Sequence, residues 1–219
     1  MKRNSTFIPA FHFHVLTCWY DPVVRTLFPE SVVKSTLIEQ SCLQPGQTVL
    51  DIGCGTGTLT LLIKQAHPNV IVHGLDIDTE ILQLAQNKAD AAGLELKLQQ
   101  GSAICLPYPD QSFDHVFTSL MMHHLITADK QSMLREAFRV LKPGGQLHVA
   151  DFGAPHTPDM WVISLFVRWF EEVHDNALDL LPVFMREAGF EPVRATKHFR
   201  SLFGTVTLHC AIKPEIDQR

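Results

Sequence analysis

Apolar and polar positions along the chain follow two alternating patterns. Apolar stretches rich in β-branched or aliphatic residues predict strands at residues 48–52, 70–75, 94–98, 115–118 and 146–150. The segments between most of them have helix-like patterns of apolar residues. Residues 191–197 and 205–212 can pair as two closing strands. Strands that are apolar on both faces and alternate with helices predict a parallel sheet covered by helices on both sides.

The helix boundaries carry consistent start and stop signals. Asp78 precedes the helical pattern that ends before Gly93, and Lys142-Pro143-Gly144-Gly145 follows another. The predicted helices are residues 29–41, 58–66, 79–92, 129–141 and 179–188. Because the last two strands follow each other without a crossover helix, at least one strand pairing is expected to be antiparallel.

The chain of 219 residues fits one domain of ordinary to large size. We expect residues 1–43 to form an N-terminal helical extension that could serve as a lid, and residues 44–219 to form the main domain. Residues 153–176, apolar and acidic, are predicted to be an insertion after the fifth strand.

Composition and charge exclude several classes of protein. A content of 46% hydrophobic and 19% charged residues excludes a disordered or collagenous chain. The net charge of −5 leaves no bulk positive field for a nucleic-acid backbone, so no nucleic-acid partner is expected. The apolar run 160–170 contains Arg168 and is too short to span a bilayer. We therefore predict a cytoplasmic protein without stable membrane insertion.

Cysteine and histidine patterns do not indicate a metal or a disulfide framework. The five cysteines are scattered and never form a C-x-x-C pair. The twelve histidines lack the spacing of known metal-binding motifs. No metal site is predicted.

The most specific motif is the run of glycines after the first predicted strand. Gly53, Gly55 and Gly57 occupy alternate positions before the helical pattern 58–66. Glycines let a ligand approach the backbone, and the amides at a helix N-terminus attract polar or negative groups. The dinucleotide fingerprint G-x-G-x-x-G requires a glycine where this chain has Thr58 or Thr60, and it is therefore absent.

Two carboxylates favour an adenosyl cofactor without phosphate over a dinucleotide. Asp51 lies two residues before Gly53, where its charge suits an ammonium or sulfonium group better than a pyrophosphate. Asp76 ends the second predicted strand, where an acid accepts hydrogen bonds from ribose hydroxyls. Either carboxylate alone is equally well explained as a strand-end or cap residue. Together with the three glycines they favour a nucleoside pocket.

With these motifs the chain resembles the class I S-adenosylmethionine-dependent methyltransferases, in the group that includes the ubiquinone and menaquinone C-methyltransferases. The matching segments are 49–57, 74–76, 101–103, 112–116 and 140–145. The resemblance implies an α/β fold with a Rossmann-like, seven-stranded, mostly parallel sheet, its last strand antiparallel and helices on both faces. It also implies S-adenosyl-L-methionine as cofactor, S-adenosyl-L-homocysteine as product, and residues 44–219 as the methyltransferase domain.

The resemblance further implies where the cofactor binds. Asp51 and the glycines would surround its methionine part, Asp76 would hold the ribose, and Ser102 and Ala103 would border the adenine. Relatives often carry an acid where this chain has Ser102, so a weaker contact with the adenine amino group is expected. The predicted cofactor-binding residues are Asp51, Gly53, Cys54, Gly55, Gly57, Asp76, Ile77, Ser102, Ala103 and Ser119.

Candidate acceptor-side residues follow the fourth and fifth predicted strands, because ligands of such sheets bind beyond the carboxyl ends of the strands. His123, His124 and Asp151 are the candidate catalytic bases, although the histidines are also explained as loop-packing residues. The segment 155–174 has apolar residues on nearly every side of a helix drawn over residues 160–170. It is therefore expected to cover either an acceptor pocket, as part of a lid, or a core or dimer surface. The predicted pocket residues are Tyr20, His124, Trp161, Phe166 and Trp169.

These patterns predict an S-adenosylmethionine-dependent methyltransferase that acts on a small, apolar or aromatic molecule as a monomer or homodimer. The alternative is a catalytically inactive protein that binds the adenosyl ligand in a regulatory or interaction role. Methylation of a nucleic-acid base is disfavoured, because no Asn-Pro-Pro-Tyr-type motif follows the fourth strand, where the chain reads Thr118-Ser119-Leu120-Met121.

Overall fold

A seven-stranded sheet forms the centre of the protein in the computed structural model, which describes residues 30–155, 157, 160, 179–201 and 204–215. The strands are β1 Thr48–Ile52, β2 Ile71–Asp76, β3 Lys97–Gln100, β4 Phe113–Ser119, β5 Leu141–Phe152, β6 Val193–Ser201 and β7 Gly204–Ile212. The helices are α1 Glu30–Glu39, α2 Thr58–Ala66, α3 Thr79–Ala92, α4 Thr127–Val140 and α5 Leu181–Glu187, with a 3-10 turn at Met122–His124.

The strands are ordered β3-β2-β1-β4-β5-β7-β6. All the pairings are parallel except those of β7, which is antiparallel to both of its neighbours. The predicted fold class is therefore confirmed. The strand order reverses between β1 and β4, and in open α/β sheets the crevice at that point, beyond the carboxyl ends of the strands, is where ligands bind.

Each face of the sheet has its own hydrophobic core. One core packs α4 and α5 against the sheet, with Met133 and Phe184 among the buried residues. The other packs α1, α2 and α3 on the opposite face, around Leu37, Ile63 and Phe117. The two cores hold β1 and β4 from both sides, and this fixes the positions of the loops that leave their carboxyl ends.

Most of the residues in the N-terminal extension and in the insertion after β5 lie outside the described ranges. Helix α1 is described, and its Val33 and Leu37 are fully buried. The division into residues 1–43, 44–219 and an insertion at 153–176 stays a prediction. None of the helices in the described part of the chain has the length and apolar character needed to cross a membrane.

Candidate functional site

The three glycines between β1 and α2 all have positive φ, between 54° and 75°, but they meet different surroundings. A Cβ on Gly53 would overlap the Met121 side chain, and one on Gly57 would lie 2.9 Å from the Cβ of Ala85 in α3. A Cβ on Gly55 would meet no atom of the described residues within 4 Å. Gly53 and Gly57 therefore permit close packing, whereas none of the described residues crowds Gly55.

Asp76, at the end of β2, holds the glycine loop in place. One carboxylate oxygen accepts the amide of Gly55 at 2.9 Å, and the other accepts the amide of Asp78 at 3.1 Å. An ionised carboxylate offers about four acceptor sites, so Asp76 can still accept hydrogen bonds from a diol. Next to it Ile77 is 52% exposed, which leaves an apolar surface beside the carboxylate. The acid, the apolar side chain and Gly55, which no described side chain crowds, together fit a nucleoside.

The loop after β3 lies against the same strand end. The amide of Gly101 donates to the carbonyl of Asp76 at 2.9 Å, and Asp76 pairs with Gln100 in the sheet. Ser102 and Ala103 follow directly, both half-buried, and Ala103 packs against the core. This arrangement brings the two predicted adenine-bordering residues to the strand that carries Asp76.

Asp51 and Cys54, both predicted to bind the cofactor, are buried in this structure. A carboxylate oxygen of Asp51 accepts the Thr60 hydroxyl at 2.7 Å. Burial raises the pKa of Asp51 to about 6, against the opposing effects of Thr60 and of Lys34 in α1. Burial likewise raises the pKa of the Cys54 thiol, which keeps it protonated at neutral pH. Thr60 was not predicted as a partner of Asp51, although one helical turn into α2 is a natural position for it.

The loop after β4 touches the glycine loop. Leu120 adopts a φ of 54°, and its amide donates to the carbonyl of Ala150 at 2.8 Å. Met121 then packs on Gly53. The Oγ of Ser119 is buried and has no hydrogen-bond partner among the described residues. The acceptor-side loop is thereby fixed in contact with the predicted cofactor loop.

A buried pair of side chains lies just beyond this loop. Nδ1 of His123 is 2.9 Å from one carboxylate oxygen of Asp151, and the other oxygen accepts the amide of Met122 at 2.8 Å. Burial alone would raise the pKa of Asp151, but the neighbouring His123 and the amide hydrogen bonds hold it below the usual value. His123 is 5% exposed and Asp151 is 1% exposed. Such a pair can orient an imidazole for proton transfer.

His124 occupies the exposed rim of this pair. Its ring centroid lies 4.0 Å from that of His123. Removal of part of its ring from water, together with the neighbouring His123, lowers the pKa of His124 to about 4. His124 is therefore neutral at physiological pH.

The remaining predicted pocket residues, Tyr20, Trp161, Phe166 and Trp169, lie outside the described residues, and their role stays a prediction. Across the described ranges, no group of three or more His, Cys, Asp and Glu side chains is arranged to hold a metal ion.

Replacing Asp76 by Ala is expected to weaken S-adenosylhomocysteine binding. The loss of a charged acceptor corresponds to about 1.5–3 kcal/mol, and the loss of the Gly55 contact adds to it. Calorimetric titration of the folded variant would measure the change.

Asp78→Ala is the matched control for this substitution. Asp78 caps α3 by accepting the amides of Glu80 and Ile81 at 2.8 and 3.3 Å. Its loss should reduce stability by about 1 kcal/mol and leave the affinity unchanged. Unaltered S-adenosylhomocysteine affinity in folded Asp76→Ala protein would refute the ribose assignment.

Comparison with known proteins places these features in a family. Residues 49–145 match the methyltransferase domain family. The chain is 39% identical over 107 residues to the demethylmenaquinone methyltransferase of Thermus thermophilus, covering 49% of this chain and 48% of that one. It is 31% identical over 179 residues to the Listeria monocytogenes protein of the same name, covering 71% and 75% of the two chains. The chain thus spans about half the length of the Thermus relative and three quarters of the Listeria one.

Solved structures share the fold at lower sequence identity. The YcgJ protein of Bacillus subtilis superposes with a TM-score of 0.69 at 20% identity, covering 85% of this chain and 100% of that one. A putative methyltransferase from Bacillus halodurans gives 0.66 at 23% identity, covering 83% and 98%. The sequence relatives show that the chain belongs to the class I S-adenosylmethionine-dependent methyltransferases, whose cofactor is S-adenosylmethionine.

Proposed function

We propose that this protein transfers the methyl group of S-adenosylmethionine to a small, apolar or aromatic acceptor. The observation that carries the proposal is the buried His123–Asp151 pair, which lies next to a loop in contact with Gly53. A carboxylate that holds an imidazole by one nitrogen is the arrangement that proton transfer during turnover uses. The pair therefore favours turnover over the purely regulatory alternative.

The sequence relatives suggest the acceptor to test first. They are named demethylmenaquinone methyltransferases, which makes a reduced demethylmenaquinone the first candidate. The ring of a hydroquinone is electron-rich and loses a hydroxyl proton as it attacks, so a nearby base assists the reaction. The absence of a nucleic-acid partner, the monomeric or homodimeric state and the cytoplasmic location remain predictions.

The proposed mechanism divides the work between the two sides of the site. A sulfonium methyl group supplies the electrophile, and the transfer is an in-line displacement that depends mainly on alignment and exclusion of water. Asp76 and the loop around Gly55 bind and orient the donor. The Asp151 carboxylate holds the imidazole of His123 by its Nδ1 nitrogen, which makes the ring a better proton acceptor. His123 then takes the proton that the acceptor releases.

Replacing His123 by Gln is expected to lower kcat about a hundredfold or more, which is the usual contribution of a positioned base. S-adenosylhomocysteine affinity should stay unchanged, because the residue lies on the acceptor side. The assay would follow the radiolabelled methyl group of S-adenosylmethionine into dithionite-reduced demethylmenaquinone, with mass spectrometry of the product.

His67→Gln is the control and should keep wild-type kcat, because His67 lies at the end of α2, before β2 begins, and not at the carboxyl ends of the strands. If the wild-type protein binds S-adenosylhomocysteine but methylates neither this quinol nor other phenols and quinols, the binding-only alternative is favoured. If His123→Gln retains wild-type kcat, His123 is not the base.

A further inference from the structure

The loop that joins β3 to β4 is held on helix α4 by two side chains one turn apart, Glu136 and Arg139. Their carboxylate and guanidinium form a two-point ion pair with N–O distances of 2.8 Å each. Arg139 also donates to the carbonyls of Leu106 and Tyr108, at 3.1 and 2.8 Å, and to the carboxylate of Asp110 at 2.8 Å. The planar guanidinium is suited to such a fork, because its donors are fixed relative to each other.

The backbone of Leu106 is held from both sides by this pair. Its amide donates to Glu136 at 2.7 Å, and its carbonyl accepts from Arg139. Leu106 is 4% exposed and belongs to the core beneath α4. Buried backbone groups need hydrogen-bond partners, and here both partners are side chains of the pair. The position of Leu106 therefore depends on Glu136 and Arg139.

Leu106 lies only a few residues from the segment proposed to border the adenine. Gly101 is fixed to Asp76 by its amide, and Ser102 forms an isolated bridge with Cys105. The chain from Ser102 to Cys105 is thus a short turn with one end on β2 and the other at Leu106. Movement of Leu106 would shift Ser102 and Ala103 relative to Asp76.

We propose that the Glu136–Arg139 pair is a positioning element for the adenine end of the cofactor site, setting cofactor affinity without touching the cofactor. The proposal rests on the proposed location of the adenine beside Ser102 and Ala103. Loss of the pair should weaken ligands that contain adenine, and it should leave the acceptor side, at His123 and Asp151, unchanged.

A second ion pair provides a matched comparison. Lys142, the second residue of β5, donates to the carboxylate of Asp114 at 2.8 Å. The same carboxylate also accepts a hydrogen bond from the amide of Thr48. This pair joins the amino ends of β1, β4 and β5, at the edge of the sheet opposite to the glycine loop. We expect its removal to cost stability and to leave the contacts of Leu106 with Glu136 and Arg139 in place.

The experiment compares Arg139→Met with Lys142→Met, using calorimetric titration with S-adenosylhomocysteine and with 5′-methylthioadenosine, which lacks the amino-acid part. For Arg139→Met we expect both dissociation constants to rise by the same factor, about 3- to 30-fold, the range typical of residues that act through others. The KM for S-adenosylmethionine should rise similarly while kcat at saturation changes little. Arg139→Lys, which keeps the charge but loses the fork, should lie between wild type and Arg139→Met.

Several outcomes would overturn the proposal. Wild-type affinities in folded Arg139→Met, or a loss for S-adenosylhomocysteine with no loss for 5′-methylthioadenosine, would contradict it. Equal losses in Lys142→Met would show that the effect is general destabilisation. If Arg139→Met fails to fold, Arg139→Lys and Glu136→Gln carry the same comparison. A wild-type protein that binds S-adenosylhomocysteine without methylating any acceptor would refute the proposed function and leave this test intact.

Discussion

Replacing Gly55 by Val is expected to abolish S-adenosylhomocysteine binding, with a rise in Kd of at least about a hundredfold, equivalent to about 2.7 kcal/mol. Of the three loop glycines, Gly55 is the one whose added Cβ would meet no atom within 4 Å in the described part of the chain. A valine there would project into the space proposed for the cofactor. It would also be strained, because φ at Gly55 is 54°, in the left-handed region that β-branched residues avoid.

Gly93→Val is the control variant, because it introduces similar backbone strain at a position away from the proposed cofactor site. Gly93 ends α3 with a φ of 64°, and an added Cβ there would likewise lie more than 4 Å from every atom that the structure describes. Both variants should therefore lose similar stability, measured by thermal unfolding, and Gly55→Val alone should lose binding in calorimetry. Normal binding by Gly55→Val would show that the loop is only a structural turn.

Much of the fold could be predicted from the sequence because its elements are strongly patterned. The bounds of β1 and α2 agree with the prediction residue for residue, since the strand is rich in aliphatic residues and the glycines mark its end. Strand β3 is displaced, at Lys97–Gln100 instead of 94–98. The amide of Leu94 still donates a hydrogen bond to the carbonyl of Ala89 at the end of α3. Pairing with β2 therefore begins only at Lys97, which lies opposite His73.

The candidate site was only partly predictable, since its side chains are brought together by sheet order. The sequence offered His123 and Asp151 separately as bases, but their contact depends on β4 and β5 being neighbours in register. The packing of Met121 on Gly53 arises in the same way from the adjacency of β1 and β4. The attachment of Leu106 to Glu136 and Arg139 had no local signal, because the residues belong to different elements.

The same register creates a buried histidine pair that sequence reasoning did not single out. His115 in β4 and His148 in β5 have ring nitrogens 3.1 Å apart, and the His148 ring stacks on Phe117 at 4.6 Å between centroids. They are 4% and 0% exposed. Burial lowers the pKa of His115 to about 4, partly opposed by Asp114, and burial with the neighbouring His115 lowers the pKa of His148 to about 3.

These shifts predict a loss of stability as the pH falls. Above pH 6.5 both histidines are neutral in the folded and in the unfolded chain, so they impose no cost. Below pH 6.5 both histidines become protonated in the unfolded chain, whereas in the folded protein His115 is protonated only near pH 4 and His148 only near pH 3. By pH 5 each histidine therefore removes about 2 kcal/mol of stability. Asp51 has the opposite effect, because its pKa is about 6 in the folded protein and lower in the unfolded chain. As the pH falls to 5, the folded protein binds this proton before the unfolded chain does, which adds about 1.4 kcal/mol to the stability.

From these three groups we expect the free energy of unfolding to fall by about 2–3 kcal/mol between pH 7.5 and pH 5, and the lowered pKa values of His73, His124 and His209 add to this loss. Urea titrations at each pH would measure it, with wild type compared with His148→Phe and with His67→Gln. The phenylalanine keeps the stack on Phe117 and removes one titrating ring, so it should reduce the acid loss by about 2 kcal/mol. His67→Gln is the control for removing a histidine elsewhere, because His67 lies at the end of α2 and outside the pair. A stability profile that is flat over this range, or identical in wild type and His148→Phe, would show that the pair does not control acid sensitivity.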